Sequence, residues 1–440
     1  MIRSPLWVML LCPVVALCLT ATGCSQDSNP QPPAATAGID LKPDTTGAKQ
    51  EPGALASATT LPTLDRRLLS ATSLAARIEY TSTSGITDGR TQVTATVFVP
   101  RGTPPQGGWP IIVYGHGTTG IQSGCAPSLS PTLLGASTPI AALVKAGYLV
   151  TVPDYQGLGL DTSASSEHPY LDSTTVGYNV IDSVRAARRL VADASDRWLV
   201  AGVSQGGQAA WAANELAANY GQGLSLIGAV SLSPPTDLTG FAELASAGTL
   251  TKDQQAALQL ILVALATEHP DLPLDDYRRG VVAQKWDVLS SCETSTATQR
   301  NEAIEQIGPD DLRPSGPDQT AVLAGYLQQR SLPRAPTAAP MLVVYGGADS
   351  FLPGSWTDRA LTAACTMGDV IDIQFQPDKG HSDIDVSMSF GWINERFAGQ
   401  PAANSCESFI AAQQPAEEPE TTFGDTSESD SGADEFGEGE

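Results

Sequence analysis

Residues 197–213 read Arg-Trp-Leu-Val-Ala-Gly-Val-Ser-Gln-Gly-Gly-Gln-Ala-Ala-Trp-Ala-Ala. A short apolar run ends here in Gly-x-Ser-x-Gly, and a stretch of small residues with helical character follows at once. This order predicts a nucleophile elbow, in which a strand ends, one strained residue turns the chain, and a helix leaves. Ser204 would expose its hydroxyl above a sheet, because Gly202 and Gly206 let neighbouring backbone approach. The alternative is a Gly/Ser-rich turn without chemistry.

The chain around this stretch alternates strands with helices. Apolar alternation or continuous apolar runs predict strands at 77–81, 91–99, 111–114, 148–152, 226–232 and 370–375, with another beginning at Met341. A period of 3.6 residues predicts helices at 139–146, 176–192, 254–266, 320–329 and 382–397. The first two strands are expected to form an antiparallel edge pair. The later alternation predicts a doubly wound, mostly parallel α/β sheet.

This alternation stops after the strand at 226–232. From 236 to 340 the sequence predicts helices and Pro-rich connections but no strand. We therefore predict a mainly helical cap, residues 236–340, inserted into an α/β core made of residues 62–235 and 341–410.

The two ends of the chain differ in composition from its middle. Residues 1–23 carry a basic residue, an apolar stretch and small residues, which predicts a signal peptide and export. The small residues before Cys24 resemble a bacterial lipoprotein signal, with Ala21 where Leu is usual, and predict lipidation of Cys24 and a membrane tether; ordinary cleavage and secretion is the alternative. Residues 24–61, rich in Pro, Ala and Thr, predict a flexible linker. Residues 411–440 predict an acidic, disordered tail.

Charge and cysteine content bound the function. The 440 residues carry a formal net charge of −24, which argues against nucleic acid as a partner because phosphate binding needs clustered Lys and Arg. The cysteines beyond the signal peptide and Cys24 are Cys125, Cys292, Cys365 and Cys406. In an exported chain they favour two disulfides, and of the three pairings the simplest joins neighbours in sequence, Cys125–Cys292 and Cys365–Cys406.

A serine nucleophile needs an adjacent base, and the chain has only four histidines. His116 and His168 precede Ser204, and His269 lies in the predicted cap. His381 lies in a loop after the last predicted strand. In α/β-hydrolases the catalytic order along the chain is Ser, acid, His. His381 is therefore the predicted base.

The acid should lie between Ser204 and His381 in the chain. Asp349 follows a predicted strand, and the carboxyl ends of strands face the site in this fold. It would hold the imidazole in the correct tautomer, unless it is simply a turn-forming aspartate. The alternative acids are close to the base in sequence: Asp378, Asp383 and Asp385.

The transition state of ester hydrolysis also needs N–H donors aimed at the developing oxyanion. One is expected from Gln205, the residue after the nucleophile, and another from the loop after the strand at 111–114. In that loop we predict the Thr118 N–H, with Gly117 next. His116 is predicted to order this loop rather than to act as a base.

Three motifs together resemble the secretory lipase family, which includes the yeast lipase A-type enzymes and actinobacterial relatives. They are Gly-His-Gly-Thr-Thr-Gly at 115–120, Pro-Asp-Tyr-Gln-Gly-Leu-Gly at 153–159 and Gly-Val-Ser-Gln-Gly-Gly at 202–207. The resemblance covers about residues 61–408. It implies an α/β-hydrolase with a helical cap, two disulfides and a Ser-Asp-His triad, which falls on Ser204, Asp349 and His381.

The resemblance also implies hydrolysis of carboxylic esters, with a lipid or a small ester as substrate and no metal or organic cofactor. Residues 256–266 are apolar nearly all round and fit either a lid over an acyl-chain pocket or a helix buried between cap and core. The acyl chain length therefore stays open. The alternatives are a peptidase or amidase on the same fold, and an exported binding protein without turnover.

Overall fold

The structure, a computed structural model, describes residues 38–160 and 167–413. The predicted signal peptide, Cys24 and the tail from residue 414 onward lie outside the described residues. Within the described part, the strands are β1 Leu55–Thr60, β2 Thr72–Thr83, β3 Arg90–Pro100, β4 Trp109–Gly115, β5 Leu149–Pro153, β6 Ala194–Val203, β7 Ser225–Leu232, β8 Met341–Gly346 and β9 Ile371–Gln376. They form one sheet in the order β1-β2-β3-β5-β4-β6-β7-β8-β9.

The sheet is antiparallel at one edge and parallel elsewhere. Strands β1, β2, β3 and β5 pair antiparallel in that order, and every pair from β5–β4 to β8–β9 is parallel. Strands β5 and β8 are buried along their whole length, as strands covered on both faces should be. The predicted doubly wound α/β fold is confirmed.

Helices cover both faces of this sheet. Their bounds are α1 Arg66–Ala71, α2 Ser137–Lys145, α3 Ser173–Leu190, α4 Gln205–Tyr220, α5 Gly240–Ala247, α6 Lys252–Glu268, α7 Gly280–Gln284, α8 Trp286–Ser290, α9 Ala297–Gln306, α10 Pro317–Arg330, α11 Gly354–Thr366, α12 Ser387–Phe397 and α13 Cys406–Gln413. Along β6, Trp198 and Val200 pack against α3 and α4, while Leu199 and Ala201 pack toward α2 and α12. Because successive side chains of a strand point to opposite faces of the sheet, β6 contributes to two hydrophobic cores, one on each face.

The chain between β7 and β8 contains helices α5 to α10 and no strand. These helices share a hydrophobic cluster in which Phe241, Leu258, Leu262 and Leu327 are fully buried, and residues outside this segment, such as Tyr170 and Trp356, belong to the same cluster. Helix α6 begins at a capping box in which Thr251 and Gln254 satisfy each other's backbone N–H groups. No helix among the described residues is long and apolar enough to cross a membrane.

The structure corrects the linker predicted for residues 24–61. Residues 55–60 form β1, which pairs with β2 and covers it, so the strands predicted at 77–81 and 91–99 are not the edge pair. Leu55 and Ala58 are fully buried, and Asp40 forms a β-bridge with Thr59. The linker prediction is therefore wrong from residue 38 onward. This segment has no clear hydrophobic periodicity, but pairing with β2 and burial of its apolar side chains stabilise it.

The last part of the chain also differs from expectation. The helix predicted over 382–397 begins only at Ser387, because Asp383 and Asp385 turn the preceding loop by accepting hydrogen bonds from the N–H groups of Gly380 and Ser387. The tail was predicted to begin at residue 411, but residues 411–413 belong to α13, which ends at Gln413.

Both predicted cysteine pairs are bonded in the structure. Cys125–Cys292 joins the loop after β4 to the region between β7 and β8, with a Cα–Cα distance of 5.7 Å. Cys365–Cys406 joins α11 to α13, with a Cα–Cα distance of 5.2 Å.

Candidate active site

Ser204 lies at the turn between β6 and α4 in a backbone conformation that side chains rarely adopt. Its φ and ψ are 54° and −122°, and its N–H is held by the Leu232 carbonyl of β7 at 2.8 Å. A Cβ on Gly202 would lie 2.2 Å from the Gly206 carbonyl oxygen, and one on Gly206 would lie 2.0 Å from the Gly115 carbonyl oxygen. Only glycine fits at both positions.

The side chains of Ser204, His381 and Asp349 form a continuous hydrogen-bonded chain. Ser204 Oγ lies 2.9 Å from His381 Nε2, and His381 Nδ1 lies 2.8 Å from Asp349 Oδ2. The other Asp349 oxygen accepts the N–H groups of Phe351 and Leu352, both at 2.8 Å, and the Phe351 ring packs edge-on against the imidazole. The carboxylate is therefore fixed from both sides and can orient the imidazole.

The alternative acids turn away from this chain. Asp383 binds the Gly380 N–H and lies 3.9 Å from Lys379 Nζ, and Asp385 binds the Ser387 N–H. Asp378 is exposed.

The predicted oxyanion donors lie beside the serine. Gln205 is the first residue of α4, so its backbone N–H has no acceptor in a preceding helical turn. Thr118 lines the same cavity as Ser204 and His381, and its hydroxyl shares a 2.7 Å hydrogen bond with the Tyr170 hydroxyl. A Cβ on Gly117 would lie 4.0 Å from Ser204 Cβ.

Behind the elbow lies a buried contact that the sequence reasoning missed. The Gln205 side-chain amide lies 2.5 Å from His168 Nε2, and His168 Nδ1 lies 2.8 Å from the Gln156 carbonyl oxygen. A carbonyl can only accept, so Nδ1 carries the proton and Nε2 accepts from the amide. Burial lowers the pKa of His168 to about 3, which keeps the ring neutral.

A stack of rings links His168 to the loop that follows β4. Tyr155 packs between His116, at 4.4 Å between ring centroids, and His168, at 5.9 Å. His116 in turn contacts the Gly117 carbonyl through Nδ1 at 2.7 Å. His116 is therefore a loop-ordering residue in this structure, and its pKa is lowered by burial.

The motif at 153–159 supports this stack. The buried Asp154 side chain accepts the Ser128 N–H at 2.9 Å and the Thr94 hydroxyl at 2.6 Å, and burial raises its pKa. This motif is the signal in the sequence that pointed to the ring stack, because it belongs to the family resemblance but contains no predicted catalytic residue. No spacing in the sequence connects His168 to Gln205.

Above the triad lies a cavity of about 600 Å³. Helix α6 lines it with Ala256, Ala257 and Leu260, while Ile261 and Leu262 on its other side are fully buried among the helices between β7 and β8. The helix predicted at 256–266 therefore has one face on the cavity and the other in the hydrophobic core. Among the described residues, no cluster of His, Cys, Asp and Glu could hold a metal ion.

Comparison with known proteins found a matching family and two relatives. Residues 132–405 match the model of the secretory lipase family. The chain is 28% identical over 333 residues to a probable inactive lipase of Mycobacterium tuberculosis, covering 70% of each chain. It is 24% identical over 311 residues to lipase 10 of Candida albicans, covering 65% of this chain and 63% of the relative.

Two solved structures share the fold. Candida antarctica lipase A in its closed state superposes with a TM-score of 0.66 at 16% identity, over 80% of this chain and 84% of that one. The rice cell wall degrading esterase LipA of Xanthomonas oryzae superposes with a TM-score of 0.59 at 19% identity, over 82% of this chain and 97% of that one. At these identities the likeness concerns the α/β-hydrolase fold.

Proposed function

The chain belongs to the secretory lipase family, and from this premise we propose that it is an active hydrolase of carboxylic esters with Ser204 as nucleophile. The resemblance that the three motifs carry is thereby confirmed, and it places the chain among lipase and esterase hydrolases. The observation that carries the proposed activity is the hydrogen-bonded chain from Ser204 Oγ through His381 to Asp349.

The proposed reaction proceeds through an acyl-enzyme. His381 Nε2 takes the Ser204 proton while Oγ attacks the ester carbonyl, and the resulting tetrahedral intermediate collapses as Nε2 returns that proton to the leaving alcohol oxygen. Nε2 then deprotonates a water molecule as its oxygen attacks the acyl carbon, and the carbon–Oγ bond breaks as Nε2 gives that proton to Ser204 Oγ, which releases the carboxylic acid. Asp349 stabilises the imidazolium that forms in each half.

The oxyanion is assigned to the N–H groups of Gln205 and Thr118, with Gly117 as the next candidate. A preorganised donor of this kind contributes roughly 2.7–4 kcal/mol to transition-state stabilisation. The helix N-terminus at Gln205 adds a favourable field for the negative charge.

We also propose that residues 236–340 act as the cap and that α6 contacts the acyl part of the substrate. Ala256, Ala257 and Leu260 offer this part an apolar wall across the cavity from Ser204. The two disulfides and the family support export of the chain. Lipidation of Cys24, with a membrane tether, stays a prediction, and so does secretion as its alternative.

The direct test measures hydrolysis of p-nitrophenyl esters of increasing acyl length, with and without an oil–water interface. A preference for long acyl chains that grows at the interface would identify a lipase, and a preference for short chains in solution an esterase. If the wild-type chain cleaves no ester of any length, the proposed activity is wrong.

A second candidate follows from the relative of Mycobacterium tuberculosis, which is described as a probable inactive lipase. On that candidate this chain would bind a lipid or ester without turning it over. Binding of a long-chain ester without release of product would support it, and multiple turnovers per chain would exclude it. A peptidase or amidase is a third, and cleavage of p-nitroanilides faster than of the matching p-nitrophenyl esters would support it.

A further inference from the structure

A second cavity, of about 310 Å³, adjoins the active-site cavity. Both cavities are lined by Val203, His381 and Ser382. Both cavities therefore border the proposed base, and Ser204 borders the larger one. A volume near 300 Å³ lies at the lower end of the range of small-molecule sites.

The walls of this second cavity are mainly apolar, apart from the polar groups of Tyr114, His381, Ser382 and Ser389, and they come from four parts of the fold. They include side chains from the sheet, from α2, and from the loop and helix that follow His381: Tyr114, Val203, Leu232, Leu143, Ile384 and Phe390. Among the residues that the structure describes, no Asp, Glu, Lys or Arg lines it. Hydrocarbon is therefore the chemistry that the cavity fits.

The sheet beneath this cavity is incompletely covered. Tyr114, Val203 and Leu232 lie on the central strands β4, β6 and β7 but are only partly buried. Further down the same face, Ile112 does not line the cavity and is fully buried. A parallel sheet is normally covered on both faces, so an apolar group seated here would complete the cover and remove apolar surface from water.

The chemistry of the triad says which half of an ester belongs on this side. As the carbonyl carbon–Ser204 Oγ bond forms and the carbon–alcohol oxygen bond breaks, His381 Nε2 passes the serine proton to the alcohol oxygen. That oxygen must come within hydrogen-bond reach of Nε2. The carbonyl oxygen points instead toward the N–H groups of Gln205 and Thr118, and Thr118 borders the larger cavity but not the second one.

We propose that the second cavity, here called the alcohol cavity, binds the apolar alcohol part of the ester. The preferred substrates are then esters that are hydrophobic on both sides of the ester bond, with alkyl or aryl alcohols rather than methanol or ethanol. This inference rests on the proposed ester hydrolysis.

The test measures kcat/KM for the methyl, butyl and octyl esters of butyric acid. Each methylene that enters the alcohol cavity should raise kcat/KM of the wild-type protein about two- to four-fold. Ile384→Trp, which fills the cavity, should bring the octyl-to-methyl ratio close to one. Val386→Trp at the rim, where the native side chain is 41% exposed, provides a second filling variant if the first does not fold.

Met388→Trp is the matched control, because Met388 lies on the same segment and is 36% exposed but does not line the cavity. Its octyl-to-methyl ratio should equal that of wild type. The reverse variant, Leu260→Trp on α6, should reduce the preference among methyl esters of longer acids and leave the alcohol series unchanged.

Three outcomes separate the inference from the proposed function. A wild-type rate on butyrates that does not depend on the alcohol would overturn the alcohol cavity while leaving ester hydrolysis intact. Loss of acyl-length preference in Ile384→Trp, with an unchanged alcohol series, would show that the cavity holds the acyl chain and would also overturn the inference. Absence of hydrolysis of every ester by wild type would instead refute the proposed function.

Discussion

At the scale of single residues, the orientation of His381 depends on how Asp349 is held. One Asp349 oxygen is occupied by two backbone N–H groups, so only the other can face His381 Nδ1. In Asp349→Asn the amide oxygen must stay on those N–H groups, and the NH₂ group would face Nδ1. The imidazole proton would then move to Nε2, which could no longer accept the serine proton.

We expect Asp349→Asn to lower kcat by about 10³- to 10⁴-fold. The measurement is kcat on p-nitrophenyl butyrate. Asp383→Asn is the control, because Asp383 is exposed and bonds to the Gly380 N–H rather than to the imidazole. Near-normal turnover in Asp349→Asn would show that another carboxylate orients His381.

His168 illustrates a positioning role at the same scale. Its Nε2 accepts from the Gln205 side chain, and Gln205 carries a proposed oxyanion N–H on its backbone. His168→Ala leaves a buried amide without this acceptor, which costs about 1–3 kcal/mol, and should lower kcat about 10- to 100-fold with a smaller effect on KM. His168→Gln, which offers an acceptor oxygen, should restore part of the rate.

The control for His168 is His269→Ala, since the His269 ring stacks on Tyr326 of α10. It should leave kcat unchanged. If His168→Ala and His168→Gln change kcat to the same extent, and change KM to the same extent, the histidine only supports folding.

At the scale of elements, the two disulfides join different parts of the fold. Cys125–Cys292 spans 167 residues of sequence and ties the region between β7 and β8 to the loop after β4. Cys365–Cys406 spans 41 residues and ties α13 to α11. Loop-closure entropy makes the longer link the more stabilising one in principle. Only the first link also constrains the site.

Replacing Cys125 and Cys292 by Ala should lower the free energy of unfolding by about 2–5 kcal/mol and also reduce kcat/KM. Replacing Cys365 and Cys406 by Ala should lower stability but leave kcat/KM unchanged. Urea unfolding and ester hydrolysis of the same preparations check both. Equal losses of activity in the two variants would contradict the difference in roles.

The sequence predicted the elements whose pattern is local and missed those that depend on distant partners. The elbow, the order Ser-Asp-His and the strands around Ile112 and Val343 follow from short motifs and continuous apolar runs. Strand β1 has the composition of a linker, and only pairing with β2 makes Leu55 and Ala58 part of the core. His168 contacts Gln205 across 37 positions, and no spacing rule anticipates this contact.

At the scale of the whole molecule, two buried groups oppose each other in their dependence on pH. Burial lowers the pKa of His168 to about 3, below its unfolded value of 6.5, so the unfolded state binds more protons and stability falls as pH drops through this window. Burial raises the pKa of Glu215 to about 7, above its unfolded value of 4.5, so stability falls as pH rises between the two values.

The two effects oppose each other between about pH 4.5 and 6.5, so the contribution of these two groups to stability should be greatest there. Glu215→Gln keeps one acceptor for the Arg334 N–H and should reduce the loss between pH 5 and 8 by about 1–3 kcal/mol. Urea unfolding at both pH values measures it. Glu243→Gln, at an exposed position, is the control, and an identical pH profile for Glu215→Gln and wild type would contradict the assignment.

The central claim is that Ser204 is the nucleophile of an active ester hydrolase. Labelling with a fluorophosphonate, followed by mass-spectrometric location of the adduct, tests it most directly. The account predicts one adduct on Ser204, its absence in Ser204→Ala, and labelling slowed by several orders of magnitude in His381→Ala, because the base no longer activates the hydroxyl. An adduct on another serine, or labelling that survives Ser204→Ala, would contradict the account.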